Sequence, residues 1–423
     1  VEDDLRAPRS LAAYRTRLDA ALAAASVEEE ADALRRFKYA ELARITVRDC
    51  CEDLVPEARV GEVLRELSDL AESLLSCALT RAATHLTAEL GPPCWRTAGG
   101  SETQLALTVL GLGKLGGEEL NYSSDVDLIY VYESLPEEAG ELRDGPQGLS
   151  PEEYFTRLVR RFAKLVGETT GEGFLYRIDL DLRPEGSQGV LVPPANALVS
   201  YYDGWAATWE KAAFMKARPV AGDGELGWRV ARAIDPMIYQ TSMDFGGVDA
   251  IKEMKQKIER QKGPAEGAFD VKLGRGGIRD VEFVAQALQL IHGGRVPQIR
   301  GRSAPGTLRA LAEAGILESG IAEELLKAYR FLRRIENRLQ MEGERQTHLI
   351  PAADEARERL ARALGYRGED ARATFEARLE AERSRVRRIF ESLFPEDDSE
   401  RVLDLFARSA SRLLAVPSAR SMM

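Results

Sequence analysis

Residues 111–132 read GLGKLGGEELNYSSDVDLIYVY. Gly111, Gly113 and Gly116 spell G-x-G-x-x-G, the glycine pattern of a dinucleotide-binding turn, and an apolar strand carrying Asp125 and Asp127 follows it. In favour of a dinucleotide, the pattern follows a predicted strand, LALTVL (105–110), and Glu133 ends the next strand where an acid would hold a ribose. The connecting helix decides against it. It would have to fit into GEELNYSSD (117–125), with only Leu120 and Tyr122 to pack on a sheet. That is short of a crossover, which needs ~10–12 residues. A central parallel strand buried on both faces is also nearly continuous hydrophobe, without two acids at its start. A Walker-type phosphate loop fails as well, because Lys114 is followed by Leu and not by Ser or Thr.

The acids themselves point to different chemistry. Side chains at i and i+2 of a strand share a face, so Asp125 and Asp127 project together while Val126 and Leu128 face a core. Two adjacent carboxylates repel unless a cation sits between them, and magnesium, a hard ion that binds carboxylates together with substrate phosphates, fits that place. The bland alternative is an edge strand with solvated acids. A third predicted strand, YRIDLDL (176–182), alternates too, with Arg177, Asp179, Asp181 and Arg183 on its polar face. A glycine turn, D-x-D on one strand and a lone acid on a later strand form the pattern of the nucleotidyltransferase superfamily to which polymerase β belongs. The expected fold is therefore α+β and predominantly helical. A polymerase β-like nucleotidyltransferase domain with a small mixed sheet would be flanked by an N-terminal helical region and a C-terminal helical bundle.

The flanks agree with that expectation. Val60, Val63, Leu64, Leu67, Leu70, Leu74, Leu75 and Ala78 follow a helical rhythm, closed by Pro92-Pro93. Residues 133–153 hold seven acids against one Arg, with Pro and Gly, and read as an exposed loop before a helix at roughly 151–170. Leu325, Tyr329, Leu332, Ile335 and Leu339 mark a later helix face. The expected divisions are 1–95 helical, 96–234 catalytic, 235–395 helical bundle and 396–423 linker or the start of a following segment.

Composition narrows the function classes. The net charge of −11, without a Lys/Arg-rich block, argues against nucleic acid as partner. Four cysteines without a C-x-x-C pair and only three histidines make a zinc site or a disulfide framework a poor reading. No apolar run approaches the ~20 residues of a membrane span and the acidic N-terminus is no signal peptide, so a cytoplasmic chain without membrane contact is expected. The chain begins with Val rather than Met, as an excised piece of a longer protein would.

Six ordered segments resemble the bifunctional glutamine synthetase adenylyltransferase/adenylyl-removing enzyme family. They are LRRFKYAELARITVRD (34–49), the 111–132 stretch, YRIDLDLRPEGSQGVLV (176–192), WEKAAFMKARPVAGD (209–223), DVKLGRGGIRDVEFVAQ (270–286) and ENRLQM (336–341). Enzymes of this family carry two related halves; the N-terminal half removes AMP from a tyrosine of glutamine synthetase by phosphorolysis and the C-terminal half attaches it from ATP. This chain has the length of one half, and its wording is closer to the removing half. The resemblance implies that Asp125 and Asp127 bind two Mg2+ ions and that Asp179 completes the set. Asp181 stands where a basic residue is frequent, so its role is left open.

Gly113, Gly116 and Gly117 would let backbone N–H groups approach phosphate. Ser124 would either donate a hydrogen bond or cap the turn. Lys114, Arg177, Arg183, Lys216 and Arg218 are candidate phosphate and nucleotide contacts, each equally readable singly as a surface charge. Glu210, with Trp209, would position the base or structure the site. Arg279, Glu282 and Gln286 form a polar stripe expected to line a cleft. The implied partners are adenylylated glutamine synthetase, inorganic phosphate, ADP or ATP, and the PII signalling protein. Rival readings are an ATP-dependent adenylyltransferase acting on glutamine synthetase and a non-catalytic regulatory domain.

Overall fold

The computed structural model describes residues 5–23, 25–51, 53–135, 140, 142–239 and 269–394. The expected tail at 396–423 and residues 240–268 of the expected bundle lie outside them. The chain divides into two compact units, one formed by residues 1–238 with 340–346, the other by 239–339 with 347–423.

The first unit opens with three helices, α1 (Leu11–Leu22), α2 (Glu30–Cys50) and α3 (Val60–Leu90). The hairpin β1 (Cys94–Arg96) and β2 (Glu102–Gln104) follows. Next come β3 (Leu107–Gly111), the single turn α4 (Gly113–Gly116), β4 (Val126–Tyr132), α5 (Pro151–Gly167) and the two-residue strand β5 (Ile178–Asp179). Helices α6 (Ala195–Gly204) and α7 (Thr208–Phe214), strand β6 (Arg218–Gly222) and helix α8 (Gly224–Ile238) complete it. Four strands form one mixed sheet in the order β5-β4-β3-β6. β3 runs antiparallel to β4 and to β6, and β5 lies parallel to β4.

The antiparallel β3–β4 pair excludes the dinucleotide fold, which joins parallel strands through a crossover helix. In its place stands the one turn of α4. The third expected strand is much shorter than its alternation predicts. Only Ile178 and Asp179 pair, because Arg183 N–H turns back to the Leu180 carbonyl and starts a turn. Strand β6 was hidden in the segment 209–223, where Pro219 masks it.

The sheet is buried on both faces. Val126, Leu128 and Tyr130 join a core shared with α3 and α5, where Tyr130 meets Phe162 edge-on at 6.0 Å and Tyr132 stacks on Phe155 at 5.4 Å. Asp127, Ile129 and Val131 alternate to the opposite face. Helix α5 begins with a capping box between Ser150 and Glu153 and a proline in its first turn. One core runs from Tyr14 on α1 to Ala221 on β6.

Several buried charges inside this unit are paired. Glu66 on α3 is 1% exposed and accepts from the Arg9 N–H at 2.7 Å, from the Tyr14 hydroxyl at 3.3 Å, and from Arg44 and Arg48. For Asp69, one turn along, the charges of Arg218 and Arg65 only partly offset its burial. Burial, then the charges of Glu72 and Glu118, push its carboxyl up to about 6. Because the unfolded value is near 3.9, the folded state holds the extra proton between these values, and stability falls as pH rises through that window. Asp69→Asn is expected to stabilise the first unit above pH 6 by about 1–2 kcal/mol, allowing for solvent screening, and to have no effect below about pH 4. Urea unfolding at several pH values checks this; a gain that does not vary with pH would contradict it.

The second unit is helical in its described residues: α9 (Ile278–His292), α10 (Ala304–Glu313), α11 (Ser319–Met341), α12 (Asp354–Ala363) and α13 (Ala371–Leu393). Its core gathers Val281, Val284, Leu288, Leu325, Leu332, Phe375 and Val386.

Candidate active site

The loop 120–125 is held before β4 enters the sheet. Leu120 N–H donates to Ser68 Oγ at 3.0 Å, and the Tyr122 hydroxyl donates to Asp49 at 3.3 Å. Ser123 is 4% exposed and bonds through both its N–H and its hydroxyl to the segment 340–344. Asp125 leaves this loop half-buried. Its Oδ1 accepts from Arg177 Nε at 2.7 Å and its Oδ2 from Gln346 Nε2 at 2.8 Å. Arg177 also donates to the Ser123 carbonyl at 3.1 Å.

Asp127 and Asp179 are Cα partners across the parallel β4–β5 pair. Neighbouring strands stand about 4.8 Å apart, so paired side chains leave the sheet side by side. Asp179 Oδ1 accepts from the Asp181 N–H at 2.8 Å, a short turn that fixes its direction and leaves Asp181 exposed beyond it. Gly113 has φ +52°, and a Cβ there would lie 1.9 Å from Asp127 Oδ2. The absence of a side chain at 113 is thus what gives the Asp127 carboxylate its place.

The glycines divide by task. A Cβ on Gly116 would meet the Lys216 carbonyl at 2.2 Å and the Gly111 carbonyl at 2.5 Å. Gly116 therefore serves packing of α4 against β6 and its approach. The N–H groups of Gly116 and Gly117 bond to the carbonyls of Leu112 and Gly113, at 2.8 and 3.1 Å. Both N–H groups are taken up inside the turn.

The expected basic residues also divide. Lys114 sits on α4 beside Gly113, and Arg177 beside Asp125. Lys216 is buried in an ion pair with Glu119 at 3.0 Å. Arg218 is buried against Glu72 and donates to the Leu115 carbonyl at 3.2 Å. Both charges are met inside the fold. Arg183 turns back to the Leu180 carbonyl at 3.0 Å. Glu210 is buried and caps α7, accepting from Ala207 N–H at 2.8 Å and the Tyr201 hydroxyl at 2.7 Å. Ser124 is half-buried before Asp125. Arg279, Glu282 and Gln286 are the half-buried positions of α9, all others on that helix being buried, so the polar stripe exists within the second unit.

Three carboxylates offer oxygen ligands only, the chemistry a hard divalent cation takes. As they stand, no three His, Cys, Asp or Glu side chains among the described residues are gathered tightly enough to ligate one ion. Asp125, Asp127 and Asp179 nevertheless carry the oxygen-donor chemistry of such a site, and Gly113 leaves room beside the Asp127 carboxylate. Gln346 was not legible in the sequence, since no local pattern links it to Asp125.

A family model described as glutamate-ammonia ligase adenylyltransferase matches residues 1–233. One described as PII-uridylyltransferase matches residues 252–394. Similar curated proteins are named bifunctional glutamine synthetase adenylyltransferase/adenylyl-removing enzyme. The one from Nitrosococcus oceani is 43% identical over 361 residues, covering 85% of this chain and 36% of that protein. The one from Thioalkalivibrio sulfidiphilus is 41% identical over 369 residues, covering 87% and 36%. That from Pseudomonas syringae pv. tomato is 37% identical over 394 residues, covering 92% and 38%. The chain thus spans little more than a third of the length of these relatives. No described helix is long and apolar enough to cross a membrane.

Proposed function

The chain belongs to the glutamate-ammonia ligase adenylyltransferase family, and from that premise we propose that it removes AMP from adenylylated glutamine synthetase by phosphorolysis, in a polymerase β-like nucleotidyltransferase domain. The observation that carries the reading is the Asp127–Asp179 pair on β4 and β5, backed by Gly113 and flanked by Asp125. Asp125, Asp127 and Asp179 would hold magnesium. When bound, magnesium supplies neutralisation of phosphoryl charge and polarisation of the reacting oxygens.

The chain's own groups supply the rest. An oxygen of inorganic phosphate attacks the α-phosphorus of the tyrosyl-AMP; that P–O bond forms, the P–O(tyrosine) bond breaks, and ADP and tyrosine result. Arg177, which pairs with Asp125, and Lys114, on the turn next to Gly113, would orient the incoming dianion; Arg suits paired phosphate oxygens. Arg177 at the same time holds Asp125 and keeps its charge compensated. The second unit, matching a PII-uridylyltransferase model, supports contact with a PII-type signalling protein. A cytoplasmic setting accompanies these substrates.

Incubation with adenylylated glutamine synthetase, phosphate and magnesium tests the reading. ADP is the expected product. AMP in its place would indicate hydrolysis. Adenylylation of unmodified glutamine synthetase from ATP, without ADP release from the modified form, would assign attachment instead.

A further inference from the structure

The stretch Gln340–Gln346 comprises the end of α11 and the turn after it, and it groups with the first unit. Its polar contacts converge on the loop that carries Asp125. Gln340 Oε1 accepts from the Ser123 N–H at 3.1 Å, the Glu344 carbonyl accepts from the Ser123 hydroxyl at 2.5 Å, and Gln346 Nε2 donates to Asp125 Oδ2 at 2.8 Å. The Glu344 side chain anchors the stretch. Its carboxylate takes the Lys38 ammonium at 2.9 and 3.2 Å and the Tyr39 hydroxyl at 3.1 Å. Lys38 has a side chain 4% exposed and lies 4.5, 4.6 and 5.5 Å from the ring centres of Tyr39, Phe174 and Tyr176. Glu344 itself holds φ +49°, a left-handed backbone costly for a residue with a Cβ, which persists only where contacts over-determine it.

We infer that Gln340–Gln346 is a strap, anchored by Glu344 in the Lys38 cage, and that Gln346 is a positioning residue for Asp125. The inference rests on the proposed magnesium site. Arg177 holds Oδ1 of the carboxylate and Gln346 holds Oδ2, so its rotation is fixed from both sides. Each oxygen keeps a further lone pair for an ion. Without Gln346 the carboxylate is free to swing into a two-pronged pair with the Arg177 guanidinium, the geometry arginine favours, and away from the ion. Donors behind a metal ligand act in this way, and their loss weakens metal binding 10–100-fold.

Mn2+ titration of the full chain, with free ion followed by its electron paramagnetic resonance signal, tests the strap. Gln346→Met keeps the length and removes the donor. Its Mn2+ Kd is expected to rise by about 10–100-fold, with an unchanged melting temperature because residue 346 is exposed. Lys38→Met keeps the stem among the rings and releases Glu344; its Kd is expected to rise in the same direction. Mn2+ binding by Gln346→Met within about threefold of wild type, or tighter, overturns the strap, since a positioning donor is worth at least about tenfold. If wild type binds Mn2+ and Asp127→Asn abolishes binding while Gln346→Met has no effect, the strap alone falls. If wild type binds no Mn2+, or Asp127→Asn binds as wild type does, the site reading falls and the strap with it.

Discussion

Asp127→Asn is expected to lower turnover by about a hundred- to a thousandfold, the scale on which removing an electrostatic element of a transition state acts, while the fold stays intact. The side chain keeps its shape, and the β4–β5 register with Asp179 is a backbone matter. The charge beside Asp179 is what goes, and with it the repulsion that invites a cation. Gly113→Ala is expected to act in the same direction by a different route. Its Cβ would occupy the place of Asp127 Oδ2 at 1.9 Å, and φ +52° disfavours any side chain. Turnover of Asp127→Asn equal to wild type at saturating magnesium would remove these acids from the chemistry. Circular dichroism and the melting temperature separate that result from unfolding.

The second large effect concerns stability. Glu66→Gln is expected to cost the first unit about 3–5 kcal/mol, the range for removing one partner of a buried ion pair. Glu66 and Arg48 both have side chains with 0% exposure, so a neutral amide leaves a guanidinium without compensation and without water. Arg44 is better protected, because it also pairs with Glu41 at 3.0 Å. Glu66→Leu combined with Arg48→Met is therefore expected to be less destabilising than the sum of the single changes, as residues in direct contact couple. Urea unfolding of wild type, Glu66→Gln, Glu66→Leu, Arg48→Met and the double variant measures this; a loss under about 1 kcal/mol for Glu66→Gln would mean that water or another donor reaches the site.

How much of this was legible beforehand depends on the range of each interaction. Alternation placed Val126 and Leu128 in a core and Asp127 on the other face, and the span between the glycines and Asp125 was too short for a crossover helix; both are properties of neighbouring residues. The helical rhythm of Val60 to Ala78 likewise produced α3 as read. The length of β5 was misread because alternation continues past Asp179 while the backbone turns at Leu180.

The basic residues show where local reading ends. Lys216 and Arg218 occupy a segment that resembles a site motif, yet each meets an acid far away in the chain: Glu119 lies 97 residues from Lys216 and Glu72 lies 146 from Arg218. Gln346 reaches Asp125 from 221 residues away. By itself the sequence determined the family resemblance and the helical flanks and singled out three candidate acids, because glycine spacing and period-two or period-3.6 patterns are written in adjacent residues. Only the tertiary structure decided which cations stay beside those acids and which are consumed in the interior. A buried charge must find its partner wherever the fold brings one within hydrogen-bond reach, and that distance is fixed by packing, not by position along the chain.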